Sequence, residues 1–333
     1  MDRQEPAPRR VVATGADAVN CMRRVRDLVR HAVSRLDQAG VSFGHGTDNA
    51  FDEAVWLVCW TLHLPVSHYA ELADATVAWP EARAAMDLTE LRCTTGKPLA
   101  YLIGEAWLMG YRFRCDKRAL VPRSLIAEAL QQGALAPFIP DPGSTARHPE
   151  RESRPLRILD LCTGGGSLAV IAATMFPGAA VVGTDLSPDA LELAALNLAD
   201  YGLEKRVKLV TADLFAGLRL QRFDLILCNP PYVNGEAMSR LPAEYRAEPR
   251  TALAGGDDGM DLVSRIVGQA AEHLRPSGVL VLEIGNEATH FEQRFPGLEF
   301  AYLPVAQGDD RLVVLTAPAL IAAADAGGAT LRR

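Results

Sequence analysis

A short, mostly apolar run that ends in a polar turn limits the possible folds of this 333-residue chain more than any other feature. Residues 223–228 form the run, and a run of this length indicates a parallel strand that is covered on both faces of a sheet. Four residues follow it directly: Asn229, Pro230, Pro231 and Tyr232. They therefore stand at the carboxyl end of a central strand, where open α/β sheets bind their ligands.

This turn has the composition of a site for a planar NH₂ group. Two consecutive prolines fix φ and remove two backbone donors, so the turn presents carbonyl acceptors in a rigid row. The Asn229 side-chain oxygen beside them can accept hydrogens from an amide or an exocyclic amine, while the Tyr232 ring covers its face. The alternative interpretation is an ordinary tight loop after a strand.

Upstream, a strand, a glycine-rich loop and a helix follow one another. Residues 156–161 indicate the strand and residues 168–176 the helix, and glycines between them let the backbone approach a ligand closely. The loop consists of Cys162, Thr163, Gly164, Gly165, Gly166 and Ser167. A second strand ends in Asp185, 21 residues after Gly164. That spacing is typical of an acid that binds the ribose hydroxyls of a nucleotide-type cofactor.

A third strand, residues 206–212, ends in Asp213, where an acid can reach an adenine amino group. For both Asp185 and Asp213 the alternative is a surface acid at a strand end. The loop also fits the dinucleotide pattern through Gly164, Gly166 and Ala169. A dinucleotide enzyme has no need of the 229–232 turn, however, whereas a methyltransferase must hold its nucleophile opposite the sulfonium of S-adenosylmethionine (SAM). The order of elements therefore favours a SAM-dependent methyltransferase.

Residues 160–166, Asp185 and the 229–232 turn resemble the class I protein-glutamine N-methyltransferases. Upstream, residues 96–102 and 120–124 resemble the inter-domain hairpin of the same family. The resemblance covers residues 50–317 of the chain.

The family has one branch that modifies release factors and another that modifies a large-subunit ribosomal protein, the third of its set. Residues 105–107, 121–128 and 241–249 favour the ribosomal branch. Two positions depart from the expected pattern. Gly165 stands where Ser is expected, which a loop built from backbone contacts should tolerate, and Leu214 stands where the release-factor branch tends to carry an aromatic.

The resemblance implies an α/β fold, a class I methyltransferase (Rossmann-like) mostly parallel sheet preceded by a small helical domain and a β-hairpin linker. It implies methyl transfer from SAM to a glutamine amide nitrogen of the ribosomal protein. The expected catalytic residues are Asn229, Pro230 and Tyr232, and Pro231 joins them in the substrate site. The expected cofactor-binding residues are Cys162, Thr163, Gly164, Gly165, Gly166, Asp185, Asp213, Leu214 and Asn229.

Three alternatives to this function stay open. The first is the same reaction on a release-factor glutamine, and the second is amine methylation of a nucleic-acid base, which would need a basic groove to receive a flipped base. The third is a non-catalytic, methyltransferase-like binding protein, against which the intact Asn229 and Asp185 argue.

Breaks in the pattern predict the organisation of the chain. We expect a disordered N-terminus (1–17), a helical substrate-recognition domain (18–95), a hairpin linker (96–121), the methyltransferase domain (122–317) and a tail (318–333). Residues 133–155, rich in Pro, Gly, Asp and Arg, indicate a solvated insertion. In the helical domain, a first helix ends at Gly40, Asp48 caps a second and Pro80 opens a third.

Composition agrees with a cytoplasmic enzyme. The net charge of −7 argues against extended binding to nucleic-acid phosphates and suits a basic protein partner. The six cysteines and seven histidines show no metal-ligand spacing, so we expect reduced thiols and no metal. No apolar run approaches the ~18 residues of a membrane span. The four tryptophans are expected in the core or at a domain interface.

Overall fold

The computed structural model describes residues 21–139, 154–218 and 221–326. The division of the chain into two compact units falls between Leu102 and Ile103. The segment predicted to be disordered (1–17), residues 140–153 of the predicted insertion and the last seven residues of the tail lie outside the described residues. The predicted domain boundaries at residues 17, 95, 121 and 317 stay predictions.

The first unit is helical, as predicted. Its helices are α1 (Val25–Ala39), α2 (Ala50–Thr61), α3 (Tyr69–Leu72) and α4 (Trp79–Thr95), with α5 (Leu99–Ile103) at the boundary between the units. Helix α1 ends at Gly40, whose φ of 63° lies in the left-handed region that favours glycine. The predicted cap of α2 is wrong. Since α2 begins at Ala50, the extended residue before it is Asn49 rather than Asp48, and the Asn49 side chain accepts the Asp52 N–H.

The tryptophans also differ from expectation. Trp56 is buried in α2, but Trp60, Trp79 and Trp107 expose 37%, 57% and 49% of their surfaces. Trp79 is the first residue of α4. The Trp107 indole N–H donates to Glu105 Oε1 on the same strand at 2.9 Å. Three of the four tryptophans are therefore surface residues.

The second unit contains two sheets. A hairpin of β1 (Glu105–Leu108) and β2 (Tyr111–Arg114) turns through Met109 and Gly110, both with positive φ, as a two-residue hairpin turn requires. The main sheet has seven strands in the order β5-β4-β3-β6-β7-β9-β8. They are β3 (Arg157–Leu161), β4 (Ala180–Asp185), β5 (Val207–Thr211), β6 (Phe223–Cys228), β7 (Leu274–Glu283), β8 (Ala301–Val305) and β9 (Gly308–Thr316).

Strands β3 to β7 are parallel, whereas β9 runs antiparallel to β7 and to β8. The helices of this unit are α6 (Leu125–Gln131), α7 (Ser167–Met175), α8 (Pro188–Asp200), α9 (Gly235–Arg240), α10 (Ala243–Arg246), α11 (Asp261–His273), α12 (Ala288–Arg294) and α13 (Ala317–Ala326). None of the helices in the described ranges has the length and apolar composition that a membrane crossing requires.

Helices cover both faces of the main sheet. Ile158 of β3 packs in a core with α6, α7 and α8, while its neighbour Leu159 packs in a second core with α11, α12 and α13. Because alternate residues of a strand point to opposite faces, both kinds of position must be apolar. The predicted α/β fold with a mostly parallel sheet, a helical N-terminal region and a small hairpin is confirmed.

The chain reverses its direction of travel across the sheet between β3 and β6. It passes from β3 outwards to β4 and β5, and then returns to form β6 on the other side of β3. The carboxyl ends of β3 and β6 therefore diverge into a crevice, which is where open α/β sheets bind ligands. Cys162 begins the loop on one side of this crevice and Asn229 the turn on the other.

Candidate active site

A cavity of about 390 Å³ lies at this end of the sheet, within the size range of small-molecule sites. Most of the predicted site residues line it: Cys162, Thr163, Gly164, Gly165, Asp185, Asp213, Leu214, Asn229 and Pro231. Gly166, Pro230 and Tyr232 are not among the lining residues. Residues 118–124, which we call the wall segment, complete the cavity together with parts of the chain after the 229–232 turn.

The glycine-rich loop is held close to α8. Gly164 and Gly166 have φ of 54° and 81°, and a Cβ at Gly166 would lie 3.0 Å from that of Ala194. Gly166 therefore serves the packing of loop on helix, not the cavity surface. Gly165 has no positive φ, and a Cβ there would meet its nearest neighbour at an ordinary 3.4 Å. The Gly in place of the expected Ser therefore changes no backbone requirement.

Asn197 fixes the outer side of this loop, and the sequence did not point to it. Its Nδ2 donates to the Gly165 carbonyl at 2.8 Å, and its Oδ1 accepts the Arg114 N–H at 2.8 Å. The side chain is buried and links the loop, α8 and the hairpin. Only its apolar helical surroundings, in which a polar residue must find partners, could have drawn attention to it.

Asp185 is a structural partner of the loop as well as a cavity residue. Its Oδ2 accepts the Gly164 N–H at 2.8 Å, and its Oδ1 accepts the Ser187 N–H at 2.9 Å. Burial raises the pKa of this carboxyl, while these backbone donors lower it. A carboxylate beside the loop retains further lone pairs that can accept hydroxyl groups of a ligand.

Asp213 and Leu214, which follow β5, also line the cavity. Arg265 of α11 donates to Asp213 Oδ2 at 2.8 Å, and both side chains are about half exposed, at 47% and 49%. Leu214 has a positive φ of 52° and is buried. Leu186 and Leu262 also line the cavity, so an apolar surface stands beside the acids. The sequence pointed to neither Arg265 nor these two leucines.

Asn229 brings a carboxamide to the cavity from the end of β6. The residue before it, Cys228, is fully buried, whereas Asn229 itself is half-buried. No residue in the described part of the chain hydrogen-bonds to the Asn229 side chain, which lines the cavity. A half-buried carboxamide without a protein partner is available to a ligand.

The Tyr232 ring, expected to cover the face of a bound NH₂ group, is not part of the cavity lining. Its hydroxyl donates to Glu283 Oε1 at 3.1 Å, and burial holds the pKa of the phenol well above its ordinary value. Its ring packs on the backbone of Gly285, where a Cβ would lie 2.4 Å from the ring atom Cε2. The tyrosine thus anchors the turn to the end of β7.

The wall segment is held by two buried carboxylates that the sequence did not single out. Glu248 accepts hydrogen bonds from both terminal nitrogens of Arg123, each at 2.7 Å, and from the Val121 N–H at 2.9 Å. Glu283 accepts the Ser124 hydroxyl at 2.6 Å and the Leu125 N–H at 3.0 Å. Ser124 also caps α6 by accepting the Ile126 N–H.

Arg123 lines the cavity as part of this segment. Its guanidinium lies over the Tyr245 ring, 5.3 Å from the centroid. Desolvation acts against the charge on Arg123, but the Glu248 carboxylate outweighs it and raises the pKa of the arginine. The residues from 241 to 249, which support the ribosomal branch in the resemblance, thus supply the partners of the wall segment.

The arrangement suits a nucleotide-type ligand and a second, amide-like ligand. The glycine loop, Asp185 and the apolar surface around Leu214 can hold the first, and the Asn229 carboxamide can accept hydrogens from the second. Within the described ranges, no group of three or more His, Cys, Asp or Glu side chains has an arrangement that could hold a metal ion.

The chain is similar to known methyltransferases. A family model described as "Methyltransferase small domain" matches residues 140–245. The ribosomal protein uL3 glutamine methyltransferase of Burkholderia pseudomallei is 49% identical over 307 residues, which cover 90% of this chain and 96% of that protein. The protein of the same name from Bordetella pertussis is 50% identical, covering 89% and 95%, and that from Neisseria gonorrhoeae is 43% identical, covering 89% and 95%.

Among solved structures, a methyltransferase from Pyrococcus furiosus is 18% identical with a TM-score of 0.42, covering 62% of this chain and 88% of that one. The sequence relatives are far more similar and extend over nearly their whole length. The chain belongs to the family of ribosomal protein uL3 glutamine methyltransferases.

Proposed function

We propose that this protein transfers a methyl group from SAM to the side-chain amide nitrogen of a glutamine in ribosomal protein uL3. The observation that carries the proposal is the Asn229 carboxamide, which faces the cavity at the end of β6 and has no hydrogen-bond partner among the described residues. The relatives named uL3 glutamine methyltransferases, at up to 50% identity, support the same substrate.

The residues around the cavity fit SAM. The positive φ of Gly164 lets the loop turn beside the ligand without a side chain, and Asp185 supplies a carboxylate at the ribose position. Leu186, Leu214 and Leu262 supply an apolar surface for the adenine ring, with Asp213 beside it. When bound, SAM would supply a methyl group whose transfer to the amide nitrogen breaks the C–S bond of the sulfonium and leaves a neutral thioether, while the nitrogen gives up one proton.

The protein's task is to aim a poor nucleophile. An amide nitrogen shares its lone pair with the carbonyl group, so it attacks only when it is well oriented. Asn229 Oδ1 accepts one amide hydrogen and the Pro230 carbonyl accepts the other, which directs the nitrogen toward the cofactor side of the cavity. These acceptors also stabilise the positive charge that develops on the nitrogen during transfer. Orientation of this kind can contribute ~7 kcal/mol or more to the lowering of a barrier.

Substrate choice falls to other parts of the chain in this proposal. The helical unit and the hairpin bind uL3, and the segment from 241 to 249 contributes beside the cavity. A negative net charge of −7 favours association with a cationic ribosomal protein. Since ribosomal proteins are made in the cytoplasm, we place the reaction there, on free uL3 or an early assembly particle.

Methyl transfer by the Asn229→Ala variant tests the proposal. Purified uL3, a release factor and ribosomal RNA are each incubated with the protein and with SAM that carries a labelled methyl group. The wild-type chain should label one glutamine of uL3 and neither of the other substrates. Asn229→Ala should abolish the label while SAM affinity stays within about threefold, since only the amide position is lost.

Asn234→Ala is the matched control. Asn234 lies five residues further along the same segment and caps α9 by accepting the Ala237 N–H at 2.9 Å. Its loss costs about 1 kcal/mol of stability but should leave the label on uL3. Near-normal turnover of Asn229→Ala would contradict the proposed grip. Label on the release factor or on RNA alone would move the substrate assignment.

A further inference from the structure

Glu283 lies behind the site, at the point where three segments meet. The side chain is 3% exposed at the end of β7, beside β6, whose Cys228 pairs with Leu282 in register. Its Oε1 accepts the Tyr232 hydroxyl at 3.1 Å, and its Oε2 accepts the Ser124 hydroxyl at 2.6 Å and the Leu125 N–H at 3.0 Å. One carboxylate thus holds both the 229–232 turn and the end of the wall segment.

Tyr232 is closely enclosed on its other sides. A Cβ at Gly255 would lie 2.7 Å from Tyr232 Cα, one at Gly259 would lie 2.3 Å from its carbonyl oxygen, and one at Gly285 would lie 2.4 Å from its ring. Glycines at all three positions let the backbone of neighbouring segments contact the tyrosine directly. The Tyr232 backbone and ring therefore have little room, and the hydroxyl is the only polar part of the side chain that must be satisfied.

We propose that Glu283 is a positioning residue for the methyl transfer, which acts by fixing Tyr232 and with it the Asn229 end of the turn. This inference rests on the proposed function. Two prolines separate Asn229 from Tyr232 and fix φ at both positions, so the turn moves as a rigid piece. A shift of the tyrosine therefore shifts the Asn229 side chain that accepts the substrate amide. A misplacement of the amide by about 1 Å can lower the rate about 100-fold.

The link to the wall segment gives this position a second reference point. Ser124 and Leu125 follow directly on Arg123, which lines the cavity and pairs with Glu248. Glu283 thereby keeps the Asn229 side chain at a fixed distance from the wall segment. It does not itself line the cavity, so it acts through Tyr232 and not on the substrate.

A double-mutant cycle with Tyr232→Phe and Glu283→Gln tests the inference. In Glu283→Gln the remaining oxygen can serve Ser124 and Leu125, but the amide nitrogen can only donate. The Tyr232 hydroxyl must then accept instead of donating, in a neutral and therefore weaker hydrogen bond. Each single variant should lower kcat on uL3 about tenfold, while the KM for uL3 and the Kd for SAM stay within about threefold. The double variant should lose no more than the Tyr232→Phe variant, because Glu283 acts through the tyrosine.

Glu128→Gln is the matched control for loss of a buried carboxylate. Glu128 is also buried and accepts a backbone N–H, that of Ala306 at 2.8 Å, but it does not line the cavity. This variant should keep the wild-type kcat. SAM titration and melting temperature of all variants separate loss of positioning from loss of the fold.

Two results would overturn the inference alone: a wild-type kcat in Glu283→Gln, or equal losses from Glu283→Gln in the presence and absence of Tyr232→Phe. If Glu283→Gln weakened SAM binding by the same factor as it lowered kcat, Glu283 would support the whole cavity, which would contradict a positioning role. A wild-type chain that transfers no methyl group to uL3 would overturn the proposed function and this inference with it.

Discussion

At the scale of single residues, Asp185 has two tasks at one carboxylate. It accepts the backbone N–H groups of Gly164 and Ser187, and it lines the cavity where the ribose of SAM lies in the proposed function. We expect Asp185→Ala to weaken SAM binding by ~1–3 kcal/mol, because ribose hydroxyls lose a charged acceptor. Isothermal calorimetry measures this directly. Asp189→Ala, which removes an exposed acid from the first turn of α8, should leave the affinity unchanged.

Equal SAM affinity in both variants would show that Asp185 supports only the loop. The acid would then be a strand-end partner of the backbone, and the cofactor's ribose would lie elsewhere in the cavity.

Asp160, at the end of β3, is a buried acid with an unusual environment. Burial raises its pKa from 3.8 to about 7, and its Oδ1 has no hydrogen-bond partner among the described residues. The folded state therefore holds the proton of the Asp160 carboxyl more tightly than the unfolded state does. The resulting stabilisation is full below pH ~4 and is lost as the pH rises through ~7.

We therefore expect Asp160→Asn to lessen the pH dependence of stability, because an amide of the same shape stays neutral throughout. Thermal unfolding of the ligand-free protein at pH 5 and pH 8 provides the measurement. The wild-type chain should lose more of its melting temperature between the two pH values than the variant does. An identical change in both proteins would show that Asp160 does not titrate in this range.

At the scale of elements, the wall segment depends on its ion pair with Glu248. The Glu248 side chain is fully buried, and that of Arg123 is 21% exposed. Removing one member of a buried pair leaves the other charge desolvated, so we expect Arg123→Met to lower the free energy of unfolding by about 3–5 kcal/mol. Denaturant unfolding measures the loss.

Arg118→Met is the control within the same segment. Arg118 pairs with Asp116, whose side chain is 41% exposed, and such surface pairs contribute about 0–1 kcal/mol. A loss in Arg123→Met that is no larger than in Arg118→Met would contradict a structural role for the buried pair.

The strands of the sheet could be predicted closely from the sequence. Strand β6 matches its predicted bounds, β4 ends at Asp185 as predicted, and β3 and β5 differ from their predicted bounds by one residue at one or both ends. Burial on both faces leaves continuous apolar runs, and polar loop residues interrupt them. Helix α8 begins at Pro188 with Ser187 as its N-cap, and both residue types favour a helix start from the local sequence alone.

The partners that hold the site could not be predicted in the same way. Glu283 lies 159 residues from Ser124, and Glu248 lies 125 residues from Arg123. Only the order of strands in the sheet brings these residues together. Glu283 also ends an apolar strand, so its sequence surroundings resemble those of any strand end. For Tyr232 the sequence pointed to the residue but not to the direction in which its hydroxyl lies.

At the scale of the whole molecule, the two compact units have separate tasks in the proposed function. The residues that line the cavity all lie between Arg118 and Leu262, within the second unit. We therefore expect a fragment of residues 103–333 to bind SAM with the affinity of the full chain. Its kcat/KM on uL3 should fall by about 100-fold or more, because the helical unit no longer supplies binding surface.

Initial rates of labelled-methyl transfer to uL3, collected on filters, give kcat/KM. Calorimetry with SAM is the control for cofactor binding. Undiminished kcat/KM in the fragment would show that the second unit alone selects the substrate. Loss of SAM binding would instead show that the second unit needs the first in order to fold.

The pairing of β3 with β6 has a consequence for how such a site can change over time. Leu161 and Cys228 are partners in register, and the residues after them, Cys162 and Asn229, begin the glycine-rich loop and the 229–232 turn. Hydrogen-bonded strands lie about 4.7–4.9 Å apart whatever their side chains. In the proposed function, the separation of methyl donor and acceptor is thus inherited from main-chain geometry. Substitutions in the turn can exchange one acceptor chemistry for another while this separation stays constant.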